Sequence, residues 1–522
     1  MITINSRQQG ERFVSYWRTC VGAGRANEGL RAAFQKQLRD VQEHIGFRYL
    51  RFHGLLHDDM FVLRMNADGQ PEYNFQYVDE LFDRMLALDI RPFVEFGFFP
   101  ECLRGGDAKQ FWWKGHVTPP DDWTGWCALI DRLVRHWISR YGLDEVRQWY
   151  FEVWNEPNLH GFWDGTRSQY FEMYRQTALA VKAVDPALRV GGPATSNFVP
   201  DERFDGEAED KSRHLTHQVE DLDSLEWRGV WIEAFLDFCQ RNQLPVDFVS
   251  AHPYPTDFAL DTTGRTTGRS RGVGSLRQDM LWLRETVRKS AYPDAEIHLT
   301  EWSSSPSSRD CTHDFLQEAA YIVKSNLDCI GLADSLSYWT FTDVFEEVGA
   351  GSSIFHGGFG LVNYQGIVKP GWHAYRMLSQ LGDECLYRDD CLFVTRGERG
   401  ISALAYNYPT DRTVCMSPYP DRSRAQAELE TGKSRRLHVR LTDCQPHQHF
   451  RVECLSRDHG WALEAWRSMG CPEPPDRNQT AELKKAARAT LAWMVQADEN
   501  GMLELNEEIK PWNIMLIKEV ES

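Results

Sequence analysis

Two glutamates in this 522-residue chain follow apolar, strand-like stretches and could act together in bond hydrolysis. Glu156 lies in Trp154-Asn-Glu-Pro, where the preceding apolar run predicts a buried strand and the proline ends it. Glu301 ends a second such run, Ile297-His-Leu-Thr-Glu. Cleavage of a glycosidic bond with retention needs one protonated and one ionised carboxyl group, about 5–5.5 Å apart. The pair therefore indicates a retaining glycoside hydrolase, with Glu156 as proton donor and Glu301 as nucleophile.

Polar side chains also follow other predicted strands. Arg51 and His53 in Arg51-Phe-His-Gly should point the same way, because alternate residues of a strand share a face. An arginine beside Glu301 would keep that carboxylate ionised. In Ser250-Ala-His-Pro-Tyr, Tyr254 is expected to hydrogen-bond Glu301, and His252 is expected to bind a sugar hydroxyl.

Three further positions suit sugar binding. Asn155 carries an amide that could donate to the sugar 2-hydroxyl, a bond that strengthens in the transition state. Trp339 offers an apolar face on which a sugar ring can lie. One of the adjacent acids Glu346 and Glu347 is expected to hold a hydroxyl, and the sequence does not choose between them.

These residues need a scaffold that brings the ends of distant strands together. From about residue 14 to 375, short apolar runs alternate with helix-period segments, which predicts a (β/α)8 barrel. The predicted strands are Tyr16–Val21, Tyr49–Phe52, Arg91–Phe96, Trp149–Trp154, Arg189–Gly192, Asp247–Ala251, Glu296–Thr300 and Leu336–Thr340. The predicted helices are Leu30–Ile45, Tyr77–Leu88, Trp126–Tyr141, Gln169–Val184, Val230–Gln243, Leu276–Lys289 and His313–Leu327. A doubly wound open sheet is the alternative, but no predicted strand is followed by a glycine-rich phosphate turn.

The pattern changes after about residue 378. Short alternating segments separated by turn residues predict a β-sandwich, with strands at Leu392–Thr395, Ser402–Tyr406, Thr413–Met416, Leu437–Leu441 and Trp512–Lys518. A helix is predicted over 480–494. The expected domains are a catalytic barrel over 14–378 and an accessory sandwich over 379–522, joined by residues 1–13.

Composition limits the function classes. The formal net charge of −18, without a basic stripe, disfavours binding to nucleic acid. We find no long apolar run that would span a membrane and no apolar signal core at the start, and the cysteines follow no metal-binding spacing. These features favour a cytoplasmic protein. A homo-oligomer is compatible with these features, although the sequence identifies no surface for it.

The ordered motifs resemble glycoside hydrolase family 39, and most closely its bacterial β-xylosidase branch. The resemblance covers 14–378, and the C-terminal part resembles the family's sandwich. The motifs are Arg51-Phe-His-Gly, Pro92-Phe-Val-Glu-Phe-Gly, Trp154-Asn-Glu-Pro-Asn-Leu, His252-Pro-Tyr, Thr300-Glu-Trp, Tyr338-Trp-Thr-Phe with Phe345-Glu-Glu, and Phe355-His-Gly-Gly-Phe-Gly-Leu.

The resemblance implies that Glu156 is the acid/base and Glu301 the nucleophile. It implies that His53, Asn155, His252, Tyr254 and Trp339 line the sugar subsite, joined by Glu346 or Glu347, with no metal or organic cofactor. The expected reaction releases xylose from the non-reducing end of β-1,4-xylo-oligosaccharides.

Other sugars remain open. An α-L-iduronide, β-galactoside, β-glucoside or α-L-arabinopyranoside would use the same mechanism, and a non-catalytic carbohydrate-binding protein is a further alternative. A uronate would need a cationic partner. The Gly/Arg-rich segment 261–272, with Arg265, Arg269 and Arg271, is the local candidate.

Overall fold

The computed structural model describes residues 1–200, 206–208, 224–255, 270–409 and 421–520. The chain forms two compact units. One contains Thr19–Ser303 and Leu332–Ala350, and the other contains Met1–Arg18, Ser304–Gly331 and Gly351–Ser522. The expected domain boundary at residue 378 stays a prediction.

The first unit contains a closed barrel of eight parallel strands, which follow one another around the barrel in chain order. This confirms the predicted fold class and excludes the open doubly wound sheet. The first to eighth barrel strands are Cys20–Arg25, Tyr49–His53, Arg91–Glu95, Tyr150–Glu152, Arg189–Ser196, Phe248–His252, Glu296–Trp302 and Ser335–Tyr338.

Helices follow most barrel strands. The helices of this unit are Ala26–Gly29, Ala32–His44, Gln76–Leu86, Trp123–Tyr141, Leu143–Val146, Arg167–Val184, Ile232–Arg241 and Ser275–Lys289, with single 3-10 turns at Asp58–Met60 and Glu101–Leu103. Three two-stranded ribbons pair Leu63–Met65 with Pro71–Tyr73, Lys109–Gln110 with Gly115–His116, and Phe198–Val199 with Arg228–Gly229.

The helix Trp123–Tyr141 shows why such segments form. Its N-cap Asp122 accepts a hydrogen bond from the backbone N–H of Gly125, which satisfies one free donor of the first turn. Its apolar residues recur every three or four positions and are buried along one face: Trp126, Leu129, Ile130, Leu133, Val134 and Trp137.

The interior of the barrel changes from apolar to polar along the strands. Near the strand starts, Cys20, Phe93, Tyr150 and Phe248 form one buried apolar cluster. Tyr150 lies beside Phe93 in the strand register, and two residues further Glu152 lies beside Glu95. Because alternate strand residues share a face, the polar layer stands directly on the apolar one.

The second unit is a β-sandwich. A seven-stranded sheet has the order Glu11–Arg12, Glu384–Arg388, Leu392–Gly397, Gly400–Tyr406, Ile514–Glu519, His449–Leu455 and Leu491–Gln496. A three-stranded sheet has the order Ile2–Asn5, Arg435–Thr442 and Leu503–Ile509. Side chains from both sheets form one buried apolar cluster, as in a sandwich core. The helices of this unit are Leu316–Asp328, Pro370–Leu378, Arg422–Leu429, Ala462–Ser468 and Arg477–Arg488, with a 3-10 turn at Cys311–Asp314.

The bounds of several predicted elements differ from those in the structure, most of all at the first barrel strand and at the helix predicted over 480–494. The first barrel strand begins at Cys20 instead of Tyr16. Tyr16 and Trp17 are buried, but they belong to the other unit. There the Tyr16 hydroxyl donates to the carbonyl of Asn326, and the Trp17 indole N–H donates to the carbonyl of Leu378.

The helix predicted over 480–494 ends at Arg488. Leu491–Gln496 is instead an edge strand that pairs with His449–Leu455, since the sheet ladder overrides a helix-compatible local sequence. The predicted strand Thr413–Met416 lies outside the described residues.

Candidate active site

Glu156 lies on a tight turn after the fourth barrel strand. The strand ends at Glu152, and Trp154 and Glu156 both have left-handed backbone conformations, with φ of 75° and 45°. The backbone N–H of Glu156 donates to the carbonyl of Ala194 on the fifth strand at 2.9 Å. Left-handed backbone conformations are unfavourable for residues other than glycine, so contacts with the neighbouring structure must hold this turn. The turn brings the Glu156 carboxyl group into the barrel mouth, where it is 6% exposed.

Glu301 lies within the seventh strand and is 5% exposed. Its Oε1 accepts a hydrogen bond from Arg51 Nη1 at 2.5 Å, and its Oε2 accepts one from the Tyr254 hydroxyl at 3.2 Å. Both partners are those expected from the sequence.

The two carboxyl groups are close together. One side-chain oxygen of Glu156, one of Glu301 and a ring nitrogen of His252 all lie within 4.8 Å of one another. Inverting hydrolases hold their carboxyl groups about 6.5–9.5 Å apart to admit a water molecule. This spacing is that of direct attack on the sugar by one of the two carboxylates.

Arg51 connects the buried acids of the site. Its Nη2 lies 2.9 Å from both Glu95 and Glu152 and donates to Asn155 Oδ1 at 2.7 Å. Asn155 Nδ2 is buried and has no hydrogen-bond partner within the described part of the chain. The arginine therefore turns the amide so that its N–H groups remain available to a ligand.

His53 lies between two of these acids. Its Nδ1 is 2.6 Å from Glu95 Oε2, and its Nε2 is 3.4 Å from Glu301 Oε1. Its ring centre is 4.8 Å from that of Trp339. His53 is thus fixed at the wall of the cavity that contains Glu301.

Trp339 follows the eighth strand and is 2% exposed. The guanidinium of Arg51 lies 5.6 Å from its ring centre. Gly22 of the first strand leaves room for the indole, because a Cβ at this glycine would lie 2.5 Å from Trp339 Cε3.

His252 contacts the candidate acid. Its Nδ1 is 3.0 Å from Glu156 Oε1, and its Nε2 is 2.9 Å from the Thr300 hydroxyl oxygen. Burial lowers the pKa of His252 to about 4, so the ring is neutral near pH 7.

The two adjacent acids after the eighth strand, Glu346 and Glu347, have different partners. Glu346 accepts two hydrogen bonds from Arg31, whose side chain lowers the pKa of Glu346. Glu347 Oε1 lies 3.8 Å from His53 Nε2. Burial and the nearby Glu301 raise the pKa of Glu347 well above its ordinary value. The structure thus brings Glu347 and not Glu346 to the other site residues.

Burial and charge give the carboxyl groups different protonation states. Burial raises the pKa of Glu156 to about 7, so this group is protonated through the mildly acidic range. Burial also raises the pKa of Glu301, but the positive charge of Arg51 opposes the rise. Within the described part of the chain, Glu301 accepts a hydrogen bond from an arginine and Glu156 does not. Glu301 therefore loses its proton at a lower pH than Glu156. The sequence alone predicts an ionised Glu301 and does not show that burial raises the pKa of this group.

Several site residues were missed by sequence reasoning. Glu95 and Glu152 bind Arg51, and Thr300 bridges His252 and Glu152. Glu95 and Glu152 stand on predicted strands, two residues after the inward-facing Phe93 and Tyr150. Thr300 directly precedes Glu301. Two-residue alternation along the strands was the signal that could have found them.

Arg271 does not provide the cationic partner expected for a uronate. It is fully buried and donates two hydrogen bonds to Asp279, at 2.8 and 3.0 Å. Arg265 and Arg269 lie outside the described residues.

Among the residues that the structure describes, two groups of side chains have the spacing of metal ligands: Glu156 with His252 and Glu301, and Asp389 with Asp390 and Cys391. In the first group Glu301 already accepts hydrogen bonds from Arg51 and Tyr254, which suits an acid–base site without a metal. No helix in the described part of the chain is long and apolar enough to cross a membrane.

Comparison with known proteins finds relatives over nearly the whole chain. The chain is 37% identical to a β-xylosidase of Geobacillus stearothermophilus over 528 aligned residues, covering 99% of this chain and 95% of that protein. It is 38% identical to a β-xylosidase of Caldicellulosiruptor saccharolyticus, covering 93% and 91%. The crystal structure of a monomeric β-xylosidase from Caulobacter crescentus CB15 superposes with a TM-score of 0.84 at 32% identity, covering 99% of both chains.

The family model of glycosyl hydrolases family 39 matches residues 1–503. With a match over nearly its whole length, and with two buried glutamates at the mouth of a closed parallel barrel, the chain is a glycoside hydrolase that belongs to glycosyl hydrolases family 39.

Proposed function

We propose that this enzyme is a retaining exo-β-xylosidase that releases xylose from the non-reducing end of β-1,4-xylo-oligosaccharides. The observation that carries the mechanism is the distance of at most 4.8 Å between oxygens of Glu156 and Glu301. The β-xylosidases to which nearly the whole chain is similar support the choice of sugar.

In the first step, Glu301 attacks the anomeric carbon and Glu156 gives its proton to the leaving oxygen. The glycosidic bond breaks as the Glu301–sugar bond forms. In the second step, Glu156 takes a proton from water, whose oxygen displaces Glu301 and completes two inversions. Arg51 and Tyr254 hold the Glu301 carboxylate in one orientation throughout, because each donates to a different oxygen.

The remaining groups bind the sugar in this proposal. Asn155 Nδ2 donates to the 2-hydroxyl, Trp339 lies against the ring, and His53, His252, Tyr254 and Glu347 surround the other polar edges. Glu347 replaces the undecided pair of the sequence prediction, because Arg31 binds Glu346.

The charge of the site favours a neutral sugar over a uronate. Glu95, Glu152 and Glu301 already contact Arg51, so three carboxyl groups share one guanidinium. A uronate carboxylate would enter a field that is already negative, which is unfavourable in a buried site. An iduronide is therefore less favourable in this site than a β-glucoside, β-galactoside or α-L-arabinopyranoside.

A panel of 4-nitrophenyl glycosides tests the sugar. The expected result is the highest kcat/KM for the β-xyloside, with β-xylose as the first product anomer by NMR. Faster hydrolysis of another glycoside would refute the choice of xylose. Release of the α-anomer would refute the retaining mechanism.

A further inference from the structure

A chain of hydrogen bonds runs from the buried ion pair at the barrel centre to the candidate acid. Thr300 Oγ1 donates to Glu152 Oε1 at 2.7 Å. His252 Nε2 lies 2.9 Å from the same Thr300 oxygen, and His252 Nδ1 lies 3.0 Å from Glu156 Oε1. Thr300, His252 and Glu152 are all fully buried.

The direction of these bonds follows from the charge of Glu152. Its Oε2 accepts from Arg51 Nε at 3.0 Å, and a carboxylate paired with a guanidinium presents only acceptor oxygens to its other neighbours. A hydroxyl has a single hydrogen, and a charged acceptor at 2.7 Å binds it more strongly than a neutral ring nitrogen at 2.9 Å. The Thr300 hydrogen therefore points to Glu152, and its oxygen presents lone pairs to His252.

This arrangement fixes the proton on the imidazole. Because Thr300 offers only lone pairs, His252 Nε2 must carry a hydrogen. Because the buried ring is neutral, Nδ1 carries none. Nδ1 then faces Glu156 as an acceptor, which suits a protonated Glu156 and repels an ionised one.

We propose that Thr300, held by Glu152, fixes the tautomer of His252 and thereby keeps the proton of the general acid on Glu156. Thr300 is a positioning residue here, since it reaches the substrate only through His252. The inference rests on the proposed function, because it takes Glu156 as the acid. It explains why a threonine stands immediately before Glu301 with its hydroxyl turned to the barrel interior.

Other charged groups around Glu156 act independently of Thr300. The titratable side chains that face Glu156 or interact with it are Arg51, His53, Glu95, His252, Glu301 and Glu347. Ser196 lowers the pKa of Glu156, and the Tyr254 hydroxyl stays neutral because burial raises its pKa. Arg51, Glu301, Glu152 and His53 act on His252. A substitution at Thr300 leaves all of these groups in place, so its effect on the Glu156 pKa reports the tautomer of His252.

Thr300→Val removes the hydroxyl at nearly constant volume. A buried Nε2–H would then lack an acceptor, so His252 moves its hydrogen to Nδ1 and donates to an ionised Glu156. A hydrogen bond to a charged group contributes about 1.5–3 kcal/mol, which lowers the Glu156 pKa by about 1–2 units.

The acid must be protonated, so wild-type kcat/KM falls as the pH rises through the Glu156 pKa of about 7. In Thr300→Val, this alkaline limb moves about 1–2 units lower for phenyl β-xyloside. Above pH 8 the variant is therefore about 10- to 100-fold slower than wild type. A 2,4-dinitrophenyl β-xyloside, whose leaving group needs no proton, loses far less.

Two variants serve as controls. Thr300→Ser keeps the hydroxyl and restores the wild-type alkaline limb. Thr195→Val removes an equally buried strand hydroxyl that donates to the carbonyl of Val230, and it leaves the limb in place. An unmoved limb in Thr300→Val, or an equal loss for both leaving groups, would overturn the proposal.

The tautomer can also be observed without substrate. NMR of the 15N-histidine-labelled full chain, assigned with a His252→Gln variant, is expected to show protonated Nε2 and unprotonated Nδ1 in wild type. The reverse tautomer in the wild-type protein would refute the proposal even if Thr300→Val failed to fold. A wild-type enzyme inactive on every glycoside would instead refute the proposed function, while the NMR result would still decide the tautomer.

Discussion

Glu156 and Glu301 are the same residue type in one cavity, and their partners distinguish them. Glu301 contacts a guanidinium and a tyrosine hydroxyl, whereas Glu156 faces the ring nitrogen of His252. The first environment favours a carboxylate and the second a carboxylic acid. The sequence could predict these two positions because each follows an apolar strand, but the roles of Thr300 and Glu152 depend on contacts across the barrel, which the sequence does not show.

Removal of the acid should separate the two chemical steps. In Glu156→Ala, hydrolysis of phenyl β-xyloside is expected to fall about 10²–10⁴-fold, because the leaving group is no longer protonated. With 2,4-dinitrophenyl β-xyloside, a glycosyl-enzyme should accumulate on Glu301, and azide should release it as β-xylosyl azide. Steady-state kinetics and mass spectrometry of the labelled peptide measure both effects.

Glu346→Ala is the matched control, since that carboxylate pairs with Arg31 and should yield no azide product. A label on another residue would exclude Glu301 as nucleophile. Full activity of Glu156→Ala would exclude Glu156 as acid.

At the scale of elements, neighbouring strands set the position of the sugar platform. Gly22 stands on the first strand and Trp339 directly follows the eighth, and the pairing of these two strands closes the barrel. The predicted first strand was shifted toward Tyr16 and Trp17 because glycines are poor strand formers, and Gly22 and Gly24 weakened the pattern at the true strand. The glycine that obscured the strand in the sequence is the one that leaves space for the indole.

Gly22→Ala should displace Trp339. The new Cβ would lie 2.5 Å from the indole and 3.1 Å from the Tyr338 carbonyl oxygen, so the ring must move. Small displacements of positioning groups cost up to about 100-fold in rate, and we expect kcat/KM for the β-xyloside to fall about 10- to 100-fold.

Gly274→Ala, where nothing lies within 4 Å of the new Cβ, should retain wild-type kinetics. Wild-type kcat and KM in Gly22→Ala would show that Trp339 does not depend on this glycine. Circular dichroism would show whether both variants keep the fold.

At the scale of the whole molecule, the first residues of the chain complete the sandwich. Ile2–Asn5 pairs in parallel with Arg435–Thr442, and Glu11–Arg12 pairs with Glu384–Arg388. The sequence predicted that the N-terminal residues would join this domain. The partner strands and their direction could not be predicted, because they lie hundreds of residues away and the local pattern is the same for either direction.

Ile4→Ala should therefore destabilise the sandwich. Ile4 is 1% exposed within the core shared by both sheets, and truncation of a buried isoleucine costs about 2–5 kcal/mol. Scanning calorimetry should show a lower transition temperature for this unit. Thr3→Ala on the exposed face of the same strand should change the free energy of unfolding by less than about 0.5 kcal/mol. Equal transitions for the two variants would contradict burial of this strand.

By itself the sequence determined the barrel, the accessory sandwich and the two glutamates, since alternation, strand-ending prolines and apolar runs are local properties of the chain. Only the tertiary structure decided which of Glu346 and Glu347 reaches the site, how Arg51 is shared among three carboxylates, and which way the hydrogen bonds run from Glu152 to Glu156. These depend on closure of the barrel. Side chains far apart in sequence meet there at low dielectric, where the charge on one fixes the proton on the next.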